Sequence, residues 1–158
     1  MKGLMNGDFP PSIDEWALGL RELRAAEHAG ELALEERASK LPATDPLTVR
    51  LKAASAAVDE LRKKIVATKE GGAITGEERL RENLADLYGN VVGYEGRPSA
   101  TQVARADVLS RELADVEKDF DAWLTKELPA INSELTRKRL EPIKPLTRAD
   151  WDATNAQK

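Results

Sequence analysis

From residue 47 onward, apolar or small side chains return at alternating four- and three-residue steps: Leu47, Leu51, Ala54, Val58, Leu61, Ile65 and Thr68. A strand would alternate with period two. Only an α-helix gathers residues at this spacing onto one narrow face, and a face that narrow packs against another helix rather than against a sheet. The same logic extends to the rest of the chain and sets the expected class, all-α.

Three further segments repeat the pattern. Upstream, Ile13, Trp16, Leu20, Leu23, Ala26, Leu34, Ala38 and Leu41 form a stripe, with Arg21, Arg24, Glu27, Glu31 and Glu35 between them on the polar side. Downstream, Leu80, Leu84, Leu87 and Val91 define a shorter helix. Ala106, Leu109, Leu113, Val116, Phe120 and Trp123 then define a long one, whose phase shifts to Leu124, Leu128, Ile131 and Leu135. Pro129 lies near that shift and predicts a kink, because it removes one backbone donor and crowds the preceding turn.

The ends of these helices carry their own chemistry. Ser12 with Glu15, Thr75 with Glu78, and Ser99 with Gln102 have the spacing of capping boxes. Asp45 followed by Pro46 reads as a cap with proline in the first helical position, where its missing N–H costs nothing. Pro42, Gly71-Gly72 and the turn Gly93-Tyr94-Glu95-Gly96-Arg97-Pro98 read as stops. Gly30 inside the first helix predicts a close helix crossing or a slight bend. Lys63, Lys64 and Lys69 suit the negative end of the second helix dipole.

Short connections favour antiparallel neighbours, so the expected architecture is an up-down-up-down four-helix bundle with a long, kinked last helix. The boundaries follow: an irregular N-terminal arm over 1–11, the bundle over 12–140, and an irregular C-terminal tail over 141–158, in which Trp151 lies on the surface or frays. The 158 residues suffice for one domain.

Composition narrows the function classes. With no cysteine, disulfides and thiolate metal sites are impossible. A net charge of -4 argues against a generic binder of nucleic acid or anionic membrane, which works through surplus Lys and Arg. No apolar run approaches the ~20 residues that span a bilayer. The opening Met1 to Gly7 lacks the apolar stretch of a signal peptide, so nothing in the chain as written directs export.

The chemically suggestive residue is His28, the sole histidine, beside Glu27 and on the helix that carries Glu31, Glu35 and Glu36. A carboxylate-bridged metal pair in a bundle needs two Glu-x-x-His elements, and one histidine cannot supply both. The alternative to a non-catalytic chain is therefore a bundle that binds a small ligand or metal through His28 and these carboxylates. The acidic runs Glu35-Glu36 and Asp115, Glu117, Asp119 and Asp121 read as surface ion pairs with Arg111, Lys118 and Lys126, since alternate helical residues point ~200° apart.

Arg137-Lys138-Arg139, with Lys144 nearby, is the one basic run, and cations in a last helical turn are expected from the dipole. The glycine pairs follow helices rather than strands, so they form no phosphate cradle. Ser110 and Ser133 have no activating base, and Trp16, Phe120 and Trp123 read as core.

With the helices placed, one stretch looks familiar: Leu84-Ala85-Asp86-Leu87-Tyr88-Gly89-Asn90-Val91-Val92-Gly93 running through Arg97-Pro98-Ser99 into the long helix, then Leu128-Pro129-Ala130-Ile131-Asn132. It resembles the helical C-terminal region of bacterial sortilin-like proteins, whose main body is an Asp-box β-propeller. The resemblance covers Leu47 to Ile143. It implies a turn at Gly93, a cap at Pro98-Ser99, and a closing element at Leu128 to Asn132. It also implies an accessory domain of an exported parent. No Asp-box motif occurs in this chain, so no activity of the parent carries over.

The expected function is a non-catalytic protein-interaction or structural module, with no cofactor, no metal and no catalytic residues. Its partner would be another protein or an adjoining propeller domain. A homodimer formed where the short third helix leaves the fourth uncovered is a further expectation.

Overall fold

The computed structural model describes residues 13–68, 76–93 and 95–155, with side chains from residue 18. Expectations resting on Ser12, Trp16, Lys69, Gly71-Gly72, Thr75 and the arm over 1–11 lie outside the described residues or side chains. Among the described residues the chain is all-helical, with five helices, 78% helix and no strand. They are α1 (Ile13–Ser39), α2 (Pro46–Ile65), α3 (Leu80–Val92), α4 (Ala100–Arg137) and α5 (Arg148–Asn155). None of them is long and apolar enough to cross a membrane.

Contacts divide the chain into two compact units. The first contains the described residues within 1–21 and 63–116, and the second contains those within 22–62 and 117–158.

In the first unit, α3 buries Leu80, Leu84, Leu87 and Val91, the four positions predicted from spacing. The α3 start differs: Arg79 is its N-cap, and the Glu82 carboxylate accepts the backbone N–H of Arg79 and of Ala67, each at 3.1 Å. Burial pushes the Glu82 carboxyl up, but hydrogen bonds from Arg81, Ala67 and Arg79 outweigh it and hold the group below its usual range. Helix α3 ends at Gly93, where an added Cβ would lie 3.1 Å from the Gly89 carbonyl oxygen. The predicted box opens α4: Gln102 Oε1 accepts the Ser99 N–H at 2.8 Å, and the Gln102 N–H donates to Ser99 Oγ at 3.2 Å. Ala106, Leu109, Leu113 and Val116 are buried.

In the second unit, Asp45 caps α2 by accepting the Leu47 N–H at 2.9 Å, with Pro46 in the first helical position. Leu47, Leu51 and Val58 are buried, as is Ile65 at the α2 end in the first unit. The stripe is turned slightly from the predicted one, because Thr48 and Ser55 are buried while Ala54 and Leu61 are half-buried. Thr68 lies beyond the helix and is exposed. In α1, Leu23, Leu34 and Ala38 are buried and Ala26 is half-buried; Leu41, also half-buried, lies beyond the helix end at Ser39. Of the two outcomes expected at Gly30, a close crossing or a slight bend, the close crossing is not found: a Cβ added there meets nothing within 4 Å.

Helix α4 continues unbroken across Pro129; it buries Phe120 and Trp123 before the predicted change of phase and Leu128, Ile131 and Leu135 after it, with Leu124 only half-buried. Phe120 and Trp123 stack with ring centroids 6.1 Å apart. The helix closes in a Schellman motif: the Leu140 N–H donates to the Leu135 carbonyl at 2.9 Å, and the Arg139 N–H donates to that of Thr136 at 3.0 Å. The left-handed residue of this motif is Arg139, at φ 60°. A side chain there costs ~1 kcal/mol that glycine avoids. Arg139→Gly therefore raises stability by about 0.5–1 kcal/mol in urea denaturation, despite the greater freedom of glycine when unfolded.

The segment expected to be an irregular tail is ordered by specific bonds. Asn132 clasps it twice, with Nδ2 donating to the Ile143 carbonyl at 2.9 Å and Oδ1 accepting the Ile143 N–H at 2.7 Å. Ile143 is buried. The buried Arg37 side chain adds a third tie, Nε to the Glu141 carbonyl at 2.9 Å. Thr147 and Asp150 then form a capping box that starts α5, and the Thr147 hydroxyl and N–H hold the Asp150 carboxyl below its usual range. Asn132 pairs one side-chain amide with one backbone unit, a match that no helical periodicity announces.

Candidate functional site

His28 is exposed on α1. Of the carboxylates grouped with it from sequence, Glu31 is half-buried and Glu35 exposed. Glu36 is engaged at the surface, accepting from Lys40 Nζ and from Arg37 Nη1, each at 2.7 Å. The Lys40 hydrogen bond, followed by the charges of Lys40 and Arg37, holds Glu36 below its usual range. His28, Glu31 and Glu35 share one side of α1, at i, i+3 and i+7, while Glu27 and Glu36 turn away from it in opposite directions. Among the described residues no three His, Asp or Glu side chains are placed to share a metal ion.

Glu27 was placed on the polar face of α1 by spacing, and here the structure corrects the sequence. Its side chain is 0% exposed, and neither carboxylate oxygen has a hydrogen-bond partner. The reason is helical geometry. Leu20, Glu27 and Leu34 lie seven residues apart, as do Leu23, Gly30 and Arg37, so Glu27 and Arg37 occupy positions of a heptad seam. The chain satisfies Arg37 through Glu36 and Glu141, but it leaves Glu27 dry. Burial pushes the Glu27 carboxyl up to about 7, against the opposing charges of Arg62 and Arg24 and with a smaller push from Glu31.

In the same unit, Glu117, Asp119 and Asp121 of the acidic run stand exposed on α4. Glu117 is pushed above the usual carboxylate range by burial, then by Asp121 one turn away and by Glu22 of α1. Arg148 of α5 approaches Glu22, its Nε 3.1 Å from Oε1, without the alignment of a hydrogen bond. Arg111, expected to pair with an acid, donates instead to the Asp107 carbonyl at 3.2 Å. In the basic run, Lys138 pairs with the Asp45 carboxylate, and Arg139 serves the helix end.

The first unit presents a surface feature of a different kind. An open groove of about 550 Å³ runs between α3 and the start of α4. Asn83, Asp86 and Asn90 line one wall, with Arg97, Gln102 and Arg105 on the other. Arg105 crosses it, Nη2 donating to Asn83 Oδ1 at 2.7 Å. Away from the buried stripe, α3 exposes Tyr88 (40%) and Val92 (46%), four residues apart on one face, and α4 exposes Val108. These exposed apolar residues escaped the sequence reading because they share a helix with a stronger inner stripe.

Comparison of the chain with protein-family models, with curated proteins and with solved structures gives no match.

Proposed function

We propose that this chain is a non-catalytic helical module, folded as an up-down-up-down four-helix bundle, that docks onto another protein. The partner favoured by the sequence resemblance is an adjoining β-propeller of the sortilin-like kind. The observation that carries this reading is the outer face of α3. A helix whose Leu80-Leu84-Leu87-Val91 stripe is already satisfied still presents Tyr88 and Val92 to solvent. Exposed apolar side chains, aromatic ones above all, are the usual anchors of a docking surface.

The test begins with the reading frame that encodes the chain. If Asp-box repeats lie upstream, the propeller is expressed separately and titrated with this module by calorimetry. Binding is expected, and Tyr88→Ser with Val92→Ser weakens it at least ~10-fold, about 1.4 kcal/mol, while leaving the helical circular dichroism signal intact. If no propeller is encoded, the propeller version is withdrawn. Light scattering then reads the homodimer version, and a concentration-independent monomer withdraws that as well.

A further inference from the structure

Glu27 is a buried titratable group that docking leaves unused. With both oxygens unpartnered, its carboxyl must either keep its proton or acquire a cation, since a bare carboxylate in an apolar setting is strongly disfavoured. The charges that act on it are Arg62, on α2 of the same unit, and Arg24 and Glu31 on its own helix, with Arg62 the strongest. Yet Arg62 is turned elsewhere. Its Nε and Nη2 lie 2.8 Å and 2.6 Å from the same Asp59 oxygen, one turn back on α2. The guanidinium side chain is 34% exposed, so it has open space in which to rotate.

We propose that Glu27, Arg62 and Asp59 form a proton-controlled exchange that sets how α1 and α2 pack within this unit. In the protonated state the Glu27 carboxyl packs as a neutral group and Arg62 stays on Asp59. When Glu27 ionises, its proton passes to water and Arg62 leaves Asp59 to pair with the new carboxylate. The guanidinium keeps its charge throughout, and Asp59 gives up this one ion pair at the half-exposed α2 surface. Burial sets the exchange near pH 7, so modest changes around neutrality move the population. The arrangement seen in the structure, with Arg62 on Asp59, is the one this exchange assigns to the protonated state.

The experiment is a carboxyl-carbon NMR titration of Glu27 in the intact chain. The wild-type midpoint is expected at about 7. Asp59→Asn releases Arg62 and lowers the midpoint by about half a pH unit or more, whereas Arg62→Gln raises it. A double-mutant cycle of Glu27→Gln and Arg62→Gln, read as thermal midpoints, shows coupling at pH 8 and none at pH 5. A wild-type midpoint in the ordinary carboxylate range overturns the proposal, as does a midpoint that neither Asp59→Asn nor Arg62→Gln moves. If Glu27→Gln fails to fold, the titrations of wild type and Asp59→Asn decide alone, since both retain Glu27.

Discussion

Glu27→Leu is expected to stabilise the chain by up to roughly 3 kcal/mol at pH 8 and by about 1 kcal/mol at pH 5, read from urea denaturation at the two pH values. The sign follows from proton binding. The folded chain holds the Glu27 proton up to about 7, while an ordinary glutamate releases it near 4.5. Between those values the unfolded state binds fewer protons than the folded one, so stability falls as pH rises and levels off above the folded value. A difference of about 2.5 units corresponds to roughly 3 kcal/mol at 1.36 kcal/mol per unit. Relief of the ionised carboxyl by Arg62 reduces the gain, so the figure is an upper value. Leucine keeps the seam volume and removes the titration, and a stability difference between variant and wild type that is the same at both pH values refutes a dry Glu27.

Leu51→Ala carries the other large effect, a loss of about 3 kcal/mol, within the range seen for fully enclosed leucines that leave a cavity. Leu51 is 0% exposed. Leu61, which shares the same sequence stripe, is only half-buried, and Leu61→Ala costs about 1 kcal/mol because part of its side chain never left water. Spacing alone treats these two leucines as equivalent. Denaturation midpoints of the two variants, measured at one pH with unchanged slopes, separate the predicted stripe from the observed one. Equal losses show that the α2 face is not turned as described.

The same contrast marks how far the sequence could be read. Helix existence, type and several ends were legible because they depend on neighbours within one turn: Asp45 with Leu47, Ser99 with Gln102, and the Gly93 stop of α3. The four inner positions of α3 and the change of phase in α4 were legible for the same reason, since those stripes are rich in leucine and little competes with them. In α1 and α2 the polar alternatives misled. Ala26 and Glu27 differ by only ~100° around a helix axis, and hydrophobicity chose the alanine while packing chose the glutamate. Ser55 displaced Ala54 by the same small rotation.

The candidate site was less legible still. His28 drew attention by chemical type, yet the unpartnered carboxyl lies one residue before it. The seven-residue intervals Leu20, Glu27, Leu34 contained the signal, hidden because a charged residue in a seam is normally discounted. The ordering of the tail had no local signal before Thr147 and Asp150, because Asn132 and Ile143 meet across the end of α4, eleven residues apart in the chain.

What the sequence by itself determined is therefore the all-helical class and the caps, which are set by interactions a few residues long and repeat wherever those residues occur. Only the tertiary structure decided which edge of each stripe turns inward, that Glu27 is shut away from water, and that Arg62 faces Asp59 instead. Those choices depend on rotations of whole helices, and their energies are summed over many side chains at once. No single stretch of chain contains enough of those partners to make the choice alone.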